Sequence, residues 1–298
     1  MDKNIVGRKY IFFTISGVLI FLSVAAMIVF GFKEGIDFQG GTLWKIHFEN
    51  QVNDDALSGF FKSKLNQEVL LAREDVSQNF LVRMNNLSET DHQEYAEELT
   101  KEFGNLEELS FQSIGPSIGK ELRSKAITAF VLALFAISIY IAYAFRKVSH
   151  PVSSWKYGLV ALVALFHDAL IPMGVLSVMG FYRGVEIDTS LIVALLVIVG
   201  FSVHDTIVVF DRVRENLLSG RTKEGFGDVV NTSINQTLAR SINTSLTLYI
   251  VLVALYFWGP PSLQNFALTI LIGTVAGAYS SIFIASPLLV VWERLSRK

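Results

Sequence analysis

Six apolar segments, at 11–30, 126–145, 157–181, 191–210, 241–258 and 266–292, constrain this chain more than any other feature. Each is close to the roughly 20 residues a helix needs to cross the hydrocarbon core of a bilayer. Backbone polar groups have no water to bond there, so such segments must be helices rather than open strands. The 298 residues are 51% hydrophobic and only 17% charged, with a mean hydropathy of +0.45, a composition foreign to a soluble domain. The third and sixth segments are long enough to tilt. The first is too long for the core of a signal peptide and has no convincing cleavage site, so it reads as a retained span.

Charge gives the orientation and marks off a second region. Lys3, Arg8 and Lys9, then Arg146, Lys147 and Lys156, then Arg212, Arg214, Arg221, Lys223 and Arg240, then Arg294, Arg297 and Lys298 all flank one side. The short loops opposite offer only Arg183, and none around Gly259-Pro260-Pro261. The positive-inside rule then puts both termini in the cytoplasm. Residues 33–120 hold 16 Asp/Glu against 8 Lys/Arg, a net −8 in a chain whose total is −2. That is an acidic, soluble insertion outside the membrane, and it argues against nucleic-acid binding. With no cysteine, disulfides and thiolate metal sites are excluded.

The insertion has its own pattern. Residues 42–48 alternate as a strand does, and 54–65 read as an amphipathic helix. Two short β-rich runs follow at 68–72 and 80–84. Ser88-Glu-Thr-Asp91 is a capping-box variant that opens a helix ending near Gly104, and 109–114 closes the unit as a strand. The order β-α-β-β-α-β matches a ferredoxin-like split βαβ domain of about 75 residues. The expected fold is therefore a polytopic α-helical membrane protein of six transmembrane helices. One extracytoplasmic α+β ferredoxin-like domain is inserted between the first and second. The boundaries are 1–32 for the N-terminus and first span, 33–122 for the external domain, and 123–298 for a five-helix bundle. Glycines punctuate both joins, at Gly35, Gly40 and Gly41 and again at Gly115, Pro116 and Gly119. They read equally as turn residues and as hinges for the domain.

Ionisable residues at membrane depth are the candidates for function. His204 and Asp205 lie in the fourth span with apolar residues on both sides. Asp205 is five residues, roughly 7 Å, beyond the midpoint at Gly200, too deep for a short side chain to escape easily. An ionised carboxylate there costs at least ~2.5–3.5 kcal/mol, so it calls for a partner, a cavity or a proton path. His167-Asp168 interrupts the third span near Pro172 and Gly174, either as a packing kink or as a secondary intramembrane polar site. In the fifth span Gln236, Arg240, Thr244 and Thr247 share one helical face, with Asn243 beside it. Arg240 could meet Asp205 across a helix interface, or snorkel to headgroups as an anchor. Asp211, Arg212, Arg214 and Glu215 read as the solvated end of the fourth helix. Gly273 and Gly277 form a GxxxG, a packing motif. His47, His92 and His150 are isolated, which gives no metal cluster. Without P-loop, nucleophile elbow or Rossmann glycines, neither an enzyme nor a cofactor is expected.

Taken in order, these motifs resemble the SecD/SecF family of bacterial export proteins, on its SecF side, within the resistance-nodulation-division superfamily. The resemblance rests on Gly35-Ile-Asp37-Phe-Gln-Gly40-Gly41-Thr, Ile114-Gly115-Pro116-Ser-Ile-Gly119, His167-Asp168, Asn235-Gln236-Thr-Leu-Ala-Arg240 and, most specifically, Gly200-Phe-Ser-Val-His204-Asp205-Thr-Ile-Val-Val-Phe-Asp211-Arg212-Val-Arg214-Glu215-Asn216. It covers essentially the whole chain. It implies a half-transporter that pairs with SecD and uses the proton-motive force to draw preproteins outward after the SecYEG channel and SecA begin export. YajC and a YidC-type insertase are further implied partners. It also implies that Asp205 carries the proton, with Arg240 as its partner and Thr244 beside them. His204 stands where the family often has Asn, which adds a second titratable group to the pathway. An efflux or lipid transporter of the superfamily would need a larger external domain and a second half. In a non-transporting scaffold, Asp205 and Arg240 would serve packing alone.

Overall fold

The structure is a computed structural model and describes residues 4–74, 79–146, 151–219 and 225–296. Lys3, Lys147, Arg221, Lys223, Arg297 and Lys298 of the basic flanks, and His150, lie outside the described residues. Among the described residues six helices are long and apolar enough to cross a membrane, as the six apolar segments predict. The chain divides into two compact units, residues 34–127 and residues 1–33 with 128–298.

A single 3₁₀ turn (Val6–Arg8) leads into α1 (Lys9–Phe30). A four-residue turn of helix, α2 (Ile36–Gln39), which the sequence pattern does not announce, precedes the first strand of the 34–127 unit. The unit then runs β1 (Gly41–Phe48), α3 (Asp54–Ser63), β2 (Leu70–Glu74), β3 (Asn79–Met84), α4 (Glu89–Phe103) and β4 (Leu106–Ile114). All pairings are antiparallel, and the sheet order β2-β3-β1-β4 is that of the expected split βαβ fold. Alternation on β1 and β3 turns Trp44, Ile46, Phe48, Phe80 and Val82 inward, against Leu57 and Phe61 of α3 and Leu99 of α4. Ser88 caps α4, its Oγ accepting from the Asp91 amide at 3.2 Å and donating to the Asp91 carboxylate at 2.7 Å. His92, isolated in sequence, lies 2.5 Å from Glu108 Oε2, which also accepts from Trp44 Nε1.

Two of the join glycines make close backbone approaches within this unit. Gly40 has φ +81° and ψ 173°, a region only glycine occupies readily. A Cβ on Gly119 would stand 2.9 Å from the Gly40 nitrogen and 3.0 Å from the Phe38 carbonyl oxygen. The segments before β1 and after β4 are thus packed on each other.

The remaining unit contains α1 and the rest of α5 (Pro116–Ala144), α6 (Ser154–Arg183), α7 (Thr189–Leu218), α8 (Phe226–Trp258), α9 (Pro261–Ser280) and α10 (Ser286–Ser296). A π-helical turn, Ser281–Ala285, joins the last two, so the sixth span is one helix with a wide turn in it. Among the spans, α6, α7 and the sixth are the most buried, whereas α1, α5 and α8 leave most of their apolar surface uncovered. Small residues set the contacts. Gly273 of α9 faces Ile198 of α7, a Cβ on Gly277 would be 3.0 Å from Ser202 Cβ, and one on Gly174 of α6 would be 2.5 Å from Ser23 Cα of α1.

Candidate functional site: buried carboxylates in the membrane spans

Asp188 caps α7 by accepting from the Leu191 amide at 3.2 Å, which fixes the start of the helix that carries Asp205. Asp205 is fully buried. Its Oδ2 accepts a hydrogen bond from Ser245 Oγ of α8 at 3.3 Å, and its Oδ1 lies 3.7 Å from His204 Nδ1. His204 itself points largely outward, its side chain 59% exposed. The structure thus brings Asp205 and His204 together, and adds Ser245, which the sequence reading did not single out.

It does not join Asp205 to Arg240. Two polar stripes run along α8, offset by one residue. The stripe Ser233, Thr237, Ser241, Ser245 is buried, whereas Gln236, Arg240 and Thr247 are exposed and Thr244 is half-buried. Thr244 Oγ1 turns back to the Arg240 carbonyl at 2.9 Å. Burying hydroxyls, of which Ser233 and Thr237 bond carbonyls of their own helix, costs far less than burying a guanidinium. With helices α7 and α9 already in contact with α8, the hydroxyl stripe takes the inner position.

The basic end of α7 is more than a solvated terminus. Arg212 Nε donates to Gln236 Oε1 at 2.6 Å, and Asn216 Nδ2 donates to the same oxygen and to Ser233 Oγ, at 2.9 and 2.8 Å. These bonds latch α7 to α8 below Asp205. Arg212 and Arg214 also pair with Glu215 and Asp211, both at 2.6 Å.

His167 and Asp168 are both buried. Asp168 Oδ2 accepts from Ser202 Oγ of α7 at 2.5 Å and from Ser280 Oγ of α9 at 2.8 Å. Asp168 Oδ1 is 2.8 Å from His167 Nδ1, and His167 Nε2 is 3.1 Å from Ser16 Oγ of α1. The imidazole stacks on Tyr279, with ring centroids 6.1 Å apart. Pro172 lacks the amide that would close on the Asp168 carbonyl, and the π-turn follows directly after Ser280. Among the described residues no group of three or more His, Asp or Glu side chains could hold a metal ion.

This arrangement can be placed against known proteins. The family model described as "Protein export membrane protein SecD/SecF, C-terminal" matches residues 94–295, and the "SecD/SecF GG Motif" matches residues 25–52. The chain belongs to the SecD/SecF family. Protein translocase subunit SecF of Thermobaculum terrenum is 44% identical over 97% of this chain and 94% of its own length. The corresponding subunit of Anaerolinea thermophila is 38% identical over the same shares. Protein translocase subunit SecDF of Thermus thermophilus is 36% identical over 92% of this chain but 37% of its own. A crystal structure of SecDF from that organism, described as a translocon-associated membrane protein, superposes with a TM-score of 0.80 at 33% identity. It covers 99% of this chain, which spans 39% of the longer one. SecDF in its super-membrane-facing form gives 0.70. The chain is therefore a multi-pass membrane protein with a SecDF-like fold. The GG motif contains Gly40 and Gly41, and the C-terminal model contains Asp205, Arg240, His167 and Asp168.

Proposed function

We propose that this chain acts in Sec-dependent protein export as the SecF-type half of a SecD–SecF complex, and that it couples proton flow through the membrane to preprotein movement. Translocase-subunit relatives matched over nearly their full length support the export role. A longer SecDF relative, of which this chain matches 37%, supports a SecD-type partner that supplies the remaining spans. The partnership with SecD extends, on this reading, to the SecYEG channel, with YajC and a YidC-type insertase as further associates. Both termini face the cytoplasm, and the acidic domain faces outward, where it meets an emerging unfolded chain.

The observation that carries the coupling is Asp205, a buried carboxylate inside a span with the Ser245 hydroxyl as a hydrogen-bond donor. Burial disfavours a charged carboxylate and a nearby cation favours it, so a cation that comes and goes drives proton uptake and release. Arg240 is that cation. It lies one residue out of phase with the buried Ser241 and Ser245 stripe, so a partial turn of α8 exchanges hydroxyl for guanidinium beside Asp205, with Thr244 following. His204, at the exposed edge, hands the proton to or from Asp205. One proton crossing ~150 mV releases about 3.5 kcal/mol, enough to bias a two-state motion of the usual few kcal/mol. The output is a movement of the external domain, with the glycine-bearing joins at Gly35–Gly41 and Gly115–Gly119 transmitting it.

Asp205→Asn tests this reading. Co-purification with the SecD-type partner should be unchanged, while gradient-driven preprotein release from proton-loaded vesicles should be lost. Normal gradient-dependent release by the mutant would overturn it.

A further inference from the structure

The N-terminal turn ties the start of α1 to α8. The Ile5 and Val6 amides both donate to Asn231 Oδ1 of α8, at 2.9 and 3.2 Å. Beyond that bridge the main contacts of α1 are with α6 and the π-turn, and those of α8 with α7 and α9. A cavity of about 700 Å³ is left between α1, α8 and the sixth span. Pockets that hold small molecules run from about 300 to 1,000 Å³. Phe12, Tyr279 and Phe283 form one wall, with ring centroids 4.4 to 6.4 Å apart. The Tyr279 hydroxyl closes that wall by donating to the Phe12 carbonyl at 3.1 Å. Leu238 and Ile242 of α8 line another.

Two polar groups break this apolar lining. Arg8 stands at the end formed by the N-terminal turn. Among the described residues it makes no ion pair, and no acidic side chain lines the cavity with it. Ser241 is buried, and its Oγ has no hydrogen-bond partner among the described residues. Its neighbours on the same stripe are satisfied, Thr237 by a carbonyl of its own helix and Ser245 by Asp205. A buried hydroxyl left without an acceptor is costly, so it calls for an acceptor brought from outside. Water is a poor occupant, because each molecule needs about two to four polar partners and an apolar cavity stays dry. Left empty, the cavity forfeits the dispersion contacts of its lining. Arg8 lies three residues outside the first apolar segment, which begins at Ile11, and Ser241 is the first residue of the fifth. Arg8 is thus at headgroup level and Ser241 at the hydrocarbon boundary, the levels of a phospholipid's phosphate and ester carbonyls.

We infer that this cavity binds an anionic phospholipid from the leaflet that the N-terminus faces. The phosphate pairs with Arg8, an ester carbonyl accepts from Ser241 Oγ, and one acyl chain lies along Phe12, Leu238, Ile242 and Ile282. Lipid has access, because α1 and α8 leave most of their apolar surface uncovered. The anionic class follows from charge. Arg8 is the only charged side chain in the lining among the described residues, and the choline of a zwitterionic lipid would set a second cation beside it. No proton transfer is involved, so the site stands or falls independently of the proposed function.

The test uses the full chain with its SecD-type partner in phosphatidylcholine vesicles. These hold a small fraction of phosphatidylglycerol that carries a diazirine in its acyl chain. Irradiation should label residues 238–242 and 282–283 more heavily than Ile28 and Val29, which α1 exposes on its outside. Arg8→Gln should reduce that labelling about fivefold, the worth of one basic side chain near a membrane surface, and Arg8→Lys should restore most of it. Ser241→Ala should reduce it about threefold, as for one lost hydrogen bond. Co-purification with the partner checks that each variant is folded. The same diazirine on phosphatidylcholine should label the cavity weakly and be indifferent to Arg8. Three results overturn the inference. One is cavity labelling no heavier than at Ile28 and Val29, and another is equal labelling by the two lipids. The third is labelling that appears only once the SecD-type partner is removed, which would make a partner helix the occupant.

Discussion

Asp205 is held by one hydroxyl, from Ser245, while the neighbouring Thr244 spends its own hydroxyl on the Arg240 carbonyl. The two positions should therefore respond differently to the same change. Ser245→Ala removes the donor to a buried carboxylate, worth about 1–1.5 kcal/mol, and should lower gradient-driven preprotein release roughly tenfold. Thr244→Ala loses only a bond within its helix and should stay within about twofold. Equal effects in the vesicle release assay would mean that the hydroxyl bonded to Asp205 has no special part. Residue-level patterns left two faces of α8 undecided in one place and underreported in another. The face containing Gln236, Arg240 and Thr244 has helical spacing, but so does the face one residue along. Ser16, Ser202 and Ser280 have no local signature at all, since a serine in a span is usually a packing residue.

Helices in this molecule meet where side chains are absent. A Cβ at Gly174 would come within 2.5 Å of the Ser23 Cα of α1, and backbone cannot step aside as a side-chain tip can. Gly174→Ala should push α1 off α6, weaken the reach of Ser16 to His167, and cost about 1–3 kcal/mol. Gly17 lies on α1 with nothing within 4 Å of its Cβ position. Gly17→Ala should be neutral or stabilise by up to about 1 kcal/mol, because alanine is the better helix former. Thermal unfolding in detergent separates the two, and a neutral Gly174→Ala would show that the α1–α6 contact yields easily. The GxxxG at Gly273 and Gly277 works in the same manner between α9 and α7. It brings Ser202 close to α9, whose Ser280 shares Asp168 with it, so a motif readable as packing also assembles a polar site.

At the scale of the whole molecule, the division of labour follows solvent. The unit at residues 34–127 closes its own aromatic core around Trp44, Phe48 and Phe80, while the helical unit leaves α1, α5 and α8 apolar on the outside. The orientation proposed for them can be read directly, because the chain has no cysteine of its own. A membrane-impermeant maleimide applied to intact cells should label Lys62→Cys in the external domain and leave Arg214→Cys at the end of α7 untouched. The reverse pattern would invert the topology and, with it, the direction of proton flow.

Six spans and a β-α-β-β-α-β insertion were legible in the amino-acid order alone. Transfer of a segment from water to lipid, and alternation along a strand, are properties each segment has by itself. The deep carboxylate at Asp205 was legible for the same reason, since its cost depends on position along one helix. Its partner was not. Which stripe of α8 turns inward depends on what α7 and α9 can accommodate, and three helices in contact accept the hydroxyls of Ser241 and Ser245 in place of the guanidinium of Arg240. The dyad was visible as two adjacent residues, but Ser16, Ser202 and Ser280 come from positions more than 30 residues away. Close approach at Gly174 and Gly277, together with a wide turn after Ser280, brings them together, and only the packed tertiary structure holds that information.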